Sequence, residues 1–329
     1  MEKIRIATRG SKLALWQSEY IAKNLLDLGY QSELKIIKTK GDIVQDRFLH
    51  EIGGKGVFIK ELEKSLEKKD CDIAMHSMKD LPAVIKEPFL LPAIMERHNH
   101  KDVIIFHPDK AKEIKLTKDQ DIQAEQLKSL GEITIATASL RRQSLLKATS
   151  KQIKLEPVRG NVDTRIGKLM DGNWDALILA AAAIERLGYT DLDYWYLCPD
   201  WFVPSAAQGA LAIESINDNQ WINAVRKLNC ALTERCVTME RKVLELLGGD
   251  CTMPIGVHIY PNHEGGTSGK AIVLDYEGRF AKTSINDNLD PLSLNPDSFV
   301  TQIMAGLKEN QVSNVLKSLN LKIPELGNL

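Results

Sequence analysis

The stretch "EITIATASLRRQSLLKATSKQIKLEPVRGNVDTRIGKLMDGNWDALILAAA", Glu132 to Ala182, decides the fold. The runs "EITIATA", "KLEPVRG" and "DALILAAA" have the length and apolar content of strands. Between them lie two segments with helical spacing, one opening at Ser139 and carrying Leu140, Leu145 and Leu146, the other covering 162–170. Strand–helix alternation of this kind predicts an α/β domain with a mostly parallel sheet, whose functional loops lie at the carboxyl ends of the strands.

The same rhythm runs outward. "KIRIA" leads into a helix beginning near Ser11, "ELKIIK" follows, then a glycine-rich loop to Gly56, the helix "VFIKELEKSLEKK" and the strand "DIAMH". From about Trp221 a long helical pattern reaches Leu247. The strands "IGVHIY", "KAIVLDYE" and "RFAKTSI" and a last helix over roughly 297–318 then predict a smaller C-terminal α+β unit. Residues 107–130, charged and poor in large apolar groups, read as a surface insertion. "CPDWFVPSAA", with two prolines, reads as a crossing between domains.

The 329 residues carry 43 Lys and Arg against 44 Asp and Glu, a net charge of −1. No global field attracts nucleic acid or a membrane surface, so anion binding must arise from local placement. No signal peptide or membrane-length apolar run is apparent. The five cysteines are scattered without CxxC spacing. That pattern argues against a disulfide framework and a metal site, and points to the cytoplasm.

Local placement is where the sequence is unusual. Ser139 reads as an N-cap, which puts Arg141 and Arg142 in the first helical turn, against the positive end of the dipole. Each such charge costs roughly 0.3–1 kcal/mol unless an anion sits there. Arg9, Arg159, Arg165 and Arg186 fall at other strand–helix junctions. One such arginine is ordinarily just solvated; several together imply a cleft built for several anionic groups. "GGKG" at 53–56 lacks the spacing of a nucleotide-binding loop.

"HSMKD", 76–80, closes the strand "DIAMH" and directs Lys79 and Asp80 to the same edge. A carboxylate among cations can stabilise a developing cation or accept an N–H hydrogen bond. The plainer reading is a surface ion pair, with His76 a packed or capping residue. In "LGGDCTMPIG", Cys251 lies in a glycine-bounded loop and is the cysteine whose setting best suits a reactive thiol.

Taken in order, "RIATRGSKLALWQ", "GGKGVFIKELE", "DIAMHSMKDLP", "TASLRRQSLL", "VRGNVDTRIGKL", "AAQGALAIE" and "GGDCTMPIG" closely resemble the porphobilinogen deaminase (hydroxymethylbilane synthase) family, from residue 4 to about 256. The resemblance implies two α/β domains like those of periplasmic binding proteins, with mixed sheets, and a smaller α+β domain. The expected division is 1–98 with 204–227, 99–203, and 228–329. It implies an enzyme, a transferase of heme biosynthesis. Four porphobilinogens are condensed head to tail with loss of ammonia, and the linear tetrapyrrole hydroxymethylbilane is released by hydrolysis. The primer is a dipyrromethane cofactor joined by a thioether to Cys251.

By the same resemblance Asp80, with Lys79, is catalytic, stabilising the cation left when ammonia departs. Ser77, Lys79, Asp80, Thr137, Ser139, Arg141, Arg142 and Arg165 hold the cofactor. Arg9, Ser11, Lys55, Arg159, Arg186 and Gln208 hold the incoming ring, Lys55 from a lid. The missing anions are then the pyrrole carboxylates. A monomer is expected, with hand-over of product to uroporphyrinogen III synthase, and no nucleic acid, membrane or metal.

Two positions depart from the family. Asp250 replaces a glycine before the cofactor cysteine, and a carboxylate there disfavours the thiolate. Ala138 stands where a hydroxyl is usual. A solute receptor on the same two-domain cleft would explain the arginines but not "HSMKD" or the Cys251 loop. A tetrapyrrole binder without activity is the other alternative.

Overall fold

The computed structural model describes residues 2–39, 59–114, 116–249 and 253–319. The chain forms two compact units, Met1–His98 with Gly209–Glu234, and Asn99–Gln208 with Arg235–Leu329.

The first unit holds a mixed five-stranded sheet built from β1 (Ile4–Thr8), β2 (Ser32–Ile36), β3 (Ile73–Ser77), β4 (Phe89–Ile94) and, after the chain returns, β10 (Leu211–Ile216), in the order β2-β1-β3-β10-β4. β1 is parallel to β2 and β3, while β10 is antiparallel to both its neighbours. Parallel neighbours need crossovers, and helices supply them. α1 (Lys12–Asp27) buries Ile21 and Leu25 against Ile4 and Ile6 on one face. α2 (Lys60–Glu67) buries Leu62 and Leu66 against Ala7 and Ala74 on the other. β10, covered on both faces, is buried at every position, Glu214 and Ser215 included.

The helix expected from Trp221 to Leu247 is broken. α8 (Ile222–Val225) passes into a 3-10 turn over Arg226–Leu228, and α9 (Ala231–Leu246) starts afresh. Asn229 is extended between them (φ −71°, ψ 132°). Its Oδ1 accepts from the Ile94 N–H at 2.8 Å, and the Cys230 N–H donates to Ile94 O at 2.8 Å. Pairing with the end of β4 requires extended backbone there, and this tertiary demand overrides helical spacing.

In the second unit β5 (Asp102–Phe106) leads into 107–130. This segment is not confined to the surface. It forms α3 (Pro108–Glu113) and α4 (Ala124–Lys128), and it buries Ile122 and Leu127 beside Ile133 and Leu145. Then come β6 (Ile133–Ala136), α5 (Leu140–Thr149), β7 (Ile153–Glu156), α6 (Val162–Met170), β8 (Ala176–Ala180), α7 (Ala181–Arg186) and β9 (Tyr194–Tyr196). The sheet order is β7-β6-β8-β5-β9, with β6 parallel to β7 and β8, and β5 antiparallel to β8 and β9.

The same unit carries an antiparallel sheet of β11 (Ile255–Pro261), β12 (Thr267–Leu274) and β13 (Phe280–Asp287). Val257, Ile259, Phe299 and Ile303 lie in its core, packed under α10 (Pro296–Glu309) and α11 (Val312–Ser318). The single helix expected over 297–318 is divided at Gln311, which is left-handed (φ 61°). The β12–β13 turn docks on the end of α5. Gly278 there has φ +83°, and a Cβ on it would lie 2.6 Å from the Ala148 amide nitrogen. Lys147 Nζ donates to Tyr276 O at 2.6 Å beside it.

Candidate active site

In the first unit the candidates gather where β1 and β3, running parallel, both end. The Met78 N–H donates to Ala210 O at 3.0 Å, and the Met78 side chain is buried. This pins the 3-10 turn Met78–Asp80, which leaves Asp80 exposed and Lys79 half-buried. Gln17 Nε2 donates to Ser77 Oγ at 3.1 Å. Arg9 is partly exposed beyond β1, and Ser11 Oγ caps α1 by accepting from the Ala14 N–H at 3.3 Å.

Beneath that turn His76 Nε2 and Glu214 Oε2 are 2.8 Å apart and enclosed. Glu214 Oε1 has no hydrogen-bond partner among the described residues. Glu63 of α2 shares the setting: burial pushes its carboxyl above the usual range, the Glu214 charge adds to this and His76 opposes it. His76 is thus a packed residue, as its plainer reading expected, and its partner is an acid on the neighbouring strand.

In the second unit, α5 starts at the end of β6. Thr137 is fully buried; its N–H donates to Glu156 O at 2.9 Å and its Oγ1 accepts from the Ser139 N–H at 3.3 Å. Ser139 is the N-cap, accepting from the Arg142 N–H at 3.5 Å. Arg141 and Arg142 are buried, and the anion between them belongs to the chain: it is Asp102, the first residue of β5. Asp102 Oδ2 lies 2.7 Å from Arg141 Nη2. Its Oδ1 accepts from Arg142 Nη2 at 2.7 Å and from Arg142 Nε at 3.1 Å. Burial alone would raise the Asp102 carboxyl, yet the two guanidiniums, helped by a hydrogen bond from Gln208, hold it well below the usual range.

The compensation is incomplete: two guanidiniums face one carboxylate. Burial draws Arg141 below its ordinary value, Asp102 resists this, and the neighbouring Arg142 adds to the fall. Among the described residues the cluster carries one surplus positive charge, which is chemically suited to an anion.

Arg165 Nε donates to Gly160 O at 2.8 Å. Gly160 has φ +107° and a Cβ on it would come within 2.9 Å of Thr164, so the turn that aims Arg165 needs glycine. Arg159 is partly exposed, and Arg186 is buried at the end of α7. Ala138 is exposed. Gln208, expected at the incoming ring, is instead fully buried. Its Nε2 donates to His100 O at 2.8 Å and to Asp102 Oδ1 at 2.9 Å, so it braces Asp102 from within the fold. Lys55, Cys251 and Asp250 lie outside the described residues.

Sequence reasoning missed Asp102, Glu214 and Glu240. Glu240 is fully buried and bridges two segments, accepting from the Ala207 N–H at 2.6 Å and from the Ile259 N–H at 2.8 Å. The first two did leave a signal: an acid opening the apolar run "DVIIF", and an acid inside "ALAIESI". Such acids, once buried, require partners. Among the described residues there is no cluster of metal-ligating side chains, and no helix is long and apolar enough to cross a membrane.

Residues 4–224 match the family described as "Porphobilinogen deaminase, dipyromethane cofactor binding domain". A porphobilinogen deaminase of Oceanobacillus iheyensis is 40% identical over 79% of this chain and 81% of its own length. One of Sulfurimonas denitrificans is 38% identical over 83% and 84%. Among solved structures, a probable amino-acid ABC transporter extracellular-binding protein of Bacillus subtilis aligns loosely, at 15% identity and a TM-score of 0.40 over 69% of this chain and 90% of that one. The family match spans both sheets that carry the candidate residues of Asp80 and Arg141, and the chain belongs to the porphobilinogen deaminase family.

Proposed function

We propose that the protein condenses four porphobilinogens head to tail, releasing ammonia, and frees hydroxymethylbilane by hydrolysis. The observation that carries the reading is the Arg141–Asp102–Arg142 cluster in a chain of this family. Two buried guanidiniums share one carboxylate, and the surplus charge suits a substrate whose every ring bears two carboxylates.

The same surplus fits a dipyrromethane primer. Arg141, Arg142, Arg165 and Lys79 would hold its carboxylates, with Ser77 and Ser139 nearby in sequence and Thr137 bracing the α5 turn, and Cys251 would carry it through a thioether. Bound, the dipyrromethane supplies the nucleophilic pyrrole carbon to which the first ring is joined.

The chain's own residues do the rest. The exposed Asp80 carboxylate accepts hydrogen bonds from substrate pyrrole N–H groups and stabilises positive charge as ammonia departs. Lys79 beside it supplies a cation for a ring carboxylate. Arg9, Ser11, Arg159, Arg186 and Lys55 hold the incoming ring by charge-assisted hydrogen bonds. The antiparallel sheet, which follows Cys251 in sequence, would act as the carrier of the primer. The reading includes a cytoplasmic monomer that passes its product to uroporphyrinogen III synthase.

The test is intact-protein mass and Ehrlich's reagent on purified wild type and Cys251→Ser. Wild type should carry the mass and colour of a dipyrrole, and the variant should be folded and lack both. A wild type without dipyrrole that yields no tetrapyrrole from porphobilinogen would overturn the reading in favour of an anion receptor.

A further inference from the structure

We propose that Asp102 is a positioning residue for chain elongation: it orients the Arg141 and Arg142 guanidiniums as a pair and sets their net charge, so that they grip carboxylates of the growing pyrrole chain in one register. The inference rests on the deaminase reading and adds to it a residue that would touch no substrate.

The geometry is that of a jig rather than a simple ion pair. Each carboxylate oxygen serves a different arginine, Oδ2 holding Arg141 and Oδ1 holding Arg142. The other contacts fix the two planes. Arg141 Nε donates to Ser205 Oγ at 3.0 Å and Arg141 Nη1 to Val203 O at 2.8 Å. Arg142 Nη1 donates to Ile178 O at 3.1 Å. A guanidinium is flat and has five N–H donors in a fixed fork. Three anchored nitrogens therefore leave it no freedom to turn, and N–H groups on each side chain remain beyond these bonds. Gln208 Nε2, at 2.9 Å from Oδ1, fixes the carboxylate in turn. Both Asp102 carboxylate oxygens are taken by Arg141, Arg142 and Gln208, so its influence runs through the arginines.

Asparagine at 102 offers a single acceptor oxygen and turns an N–H toward the second guanidinium. One arginine would stay held and the other would be displaced. Misplacing a gripping group by about 1 Å can cost roughly a hundredfold in rate without loosening the binding of a free substrate held elsewhere. The expected signature is therefore a fall in kcat with KM for porphobilinogen unchanged, because the arginines hold the tethered chain and not the incoming ring.

The experiment compares wild type, Asp102→Asn and Ser205→Ala as full chains, reading melting temperature, dipyrrole mass, kcat and KM. Ser205 is partly exposed, and its alanine variant frees one of three anchors on Arg141. We expect Ser205→Ala to melt with wild type and to lose kcat severalfold at constant KM, and Asp102→Asn to lose far more. If Asp102→Asn does not fold, the Ser205→Ala result decides alone. Wild-type kcat in Ser205→Ala, or losses in either variant that merely follow the folded fraction, would overturn the proposal. Failure of wild type to load dipyrrole or release tetrapyrrole would instead count against the deaminase reading itself.

Discussion

Glu214 on β10 reaches back along the ladder to His76 on β3, and the two meet at 2.8 Å in a setting closed to water. The contact ties the strand that ends at Ser77, and so the turn bearing Lys79 and Asp80, to the strand that returns from the second unit.

That pair gives a sharp stability prediction. His76→Leu leaves the buried Glu214 carboxyl without its hydrogen-bond partner and should lower unfolding free energy by about 1–3 kcal/mol. The double variant His76→Leu with Glu214→Leu removes both polar groups and should recover most of the loss. Urea denaturation measures this, and equal losses in the single and double variants would show that packing, not the orphaned polar group, matters.

Asp80 is exposed at the end of its turn, so Asp80→Ala should leave stability within about 0.5 kcal/mol of wild type. Turnover should fall by roughly 10²–10⁴, as for loss of a group that handles charge or protons in the transition state, while some cofactor is retained. Near-normal release of tetrapyrrole would remove Asp80 from the chemistry.

The acid limb of stability should report Asp102. Its carboxyl is held below the usual range in the folded chain by burial overcome by the two arginines. In the unfolded chain it titrates near about pH 3.9. The stabilisation is thus complete above that value and is lost as pH falls toward the folded one. Asp102→Asn should therefore show a shallower decline than wild type below about pH 4, even though its plateau is lower. Parallel curves would place the acid sensitivity elsewhere.

Gly278→Ala tests the contact between the β12–β13 turn and α5. With φ +83° and the Ala148 backbone 2.6 Å from where the new methyl would sit, the substitution should cost about 1–3 kcal/mol. A melting temperature equal to that of wild type would mean that the turn backs away freely.

The strand–helix alternation in 132–182 was readable because period and length separate its strands from its helices. Ser139 as a cap was readable for the same local reason. What could not be read locally is long-range. Asn229 looks helical until Ile94 claims its side chain, and the 107–130 segment looks external until Ile122 and Leu127 find a core. For the candidate site, the positions of Arg141 and Arg142 on α5 followed from spacing. Their partner Asp102, about forty residues upstream, did not, since pairing across a sheet leaves no mark on adjacent residues.

The order β2-β1-β3-β10-β4 bears on how the protein is made. Among the described residues β4 pairs with its sheet only through β10, a strand translated more than a hundred residues later. At ordinary ribosome speeds that is a wait on the order of ten seconds. In that interval β3 lacks its β10 neighbour and β4 lacks its ladder partner, so this part of the sheet can close only after the second α/β sheet has been translated.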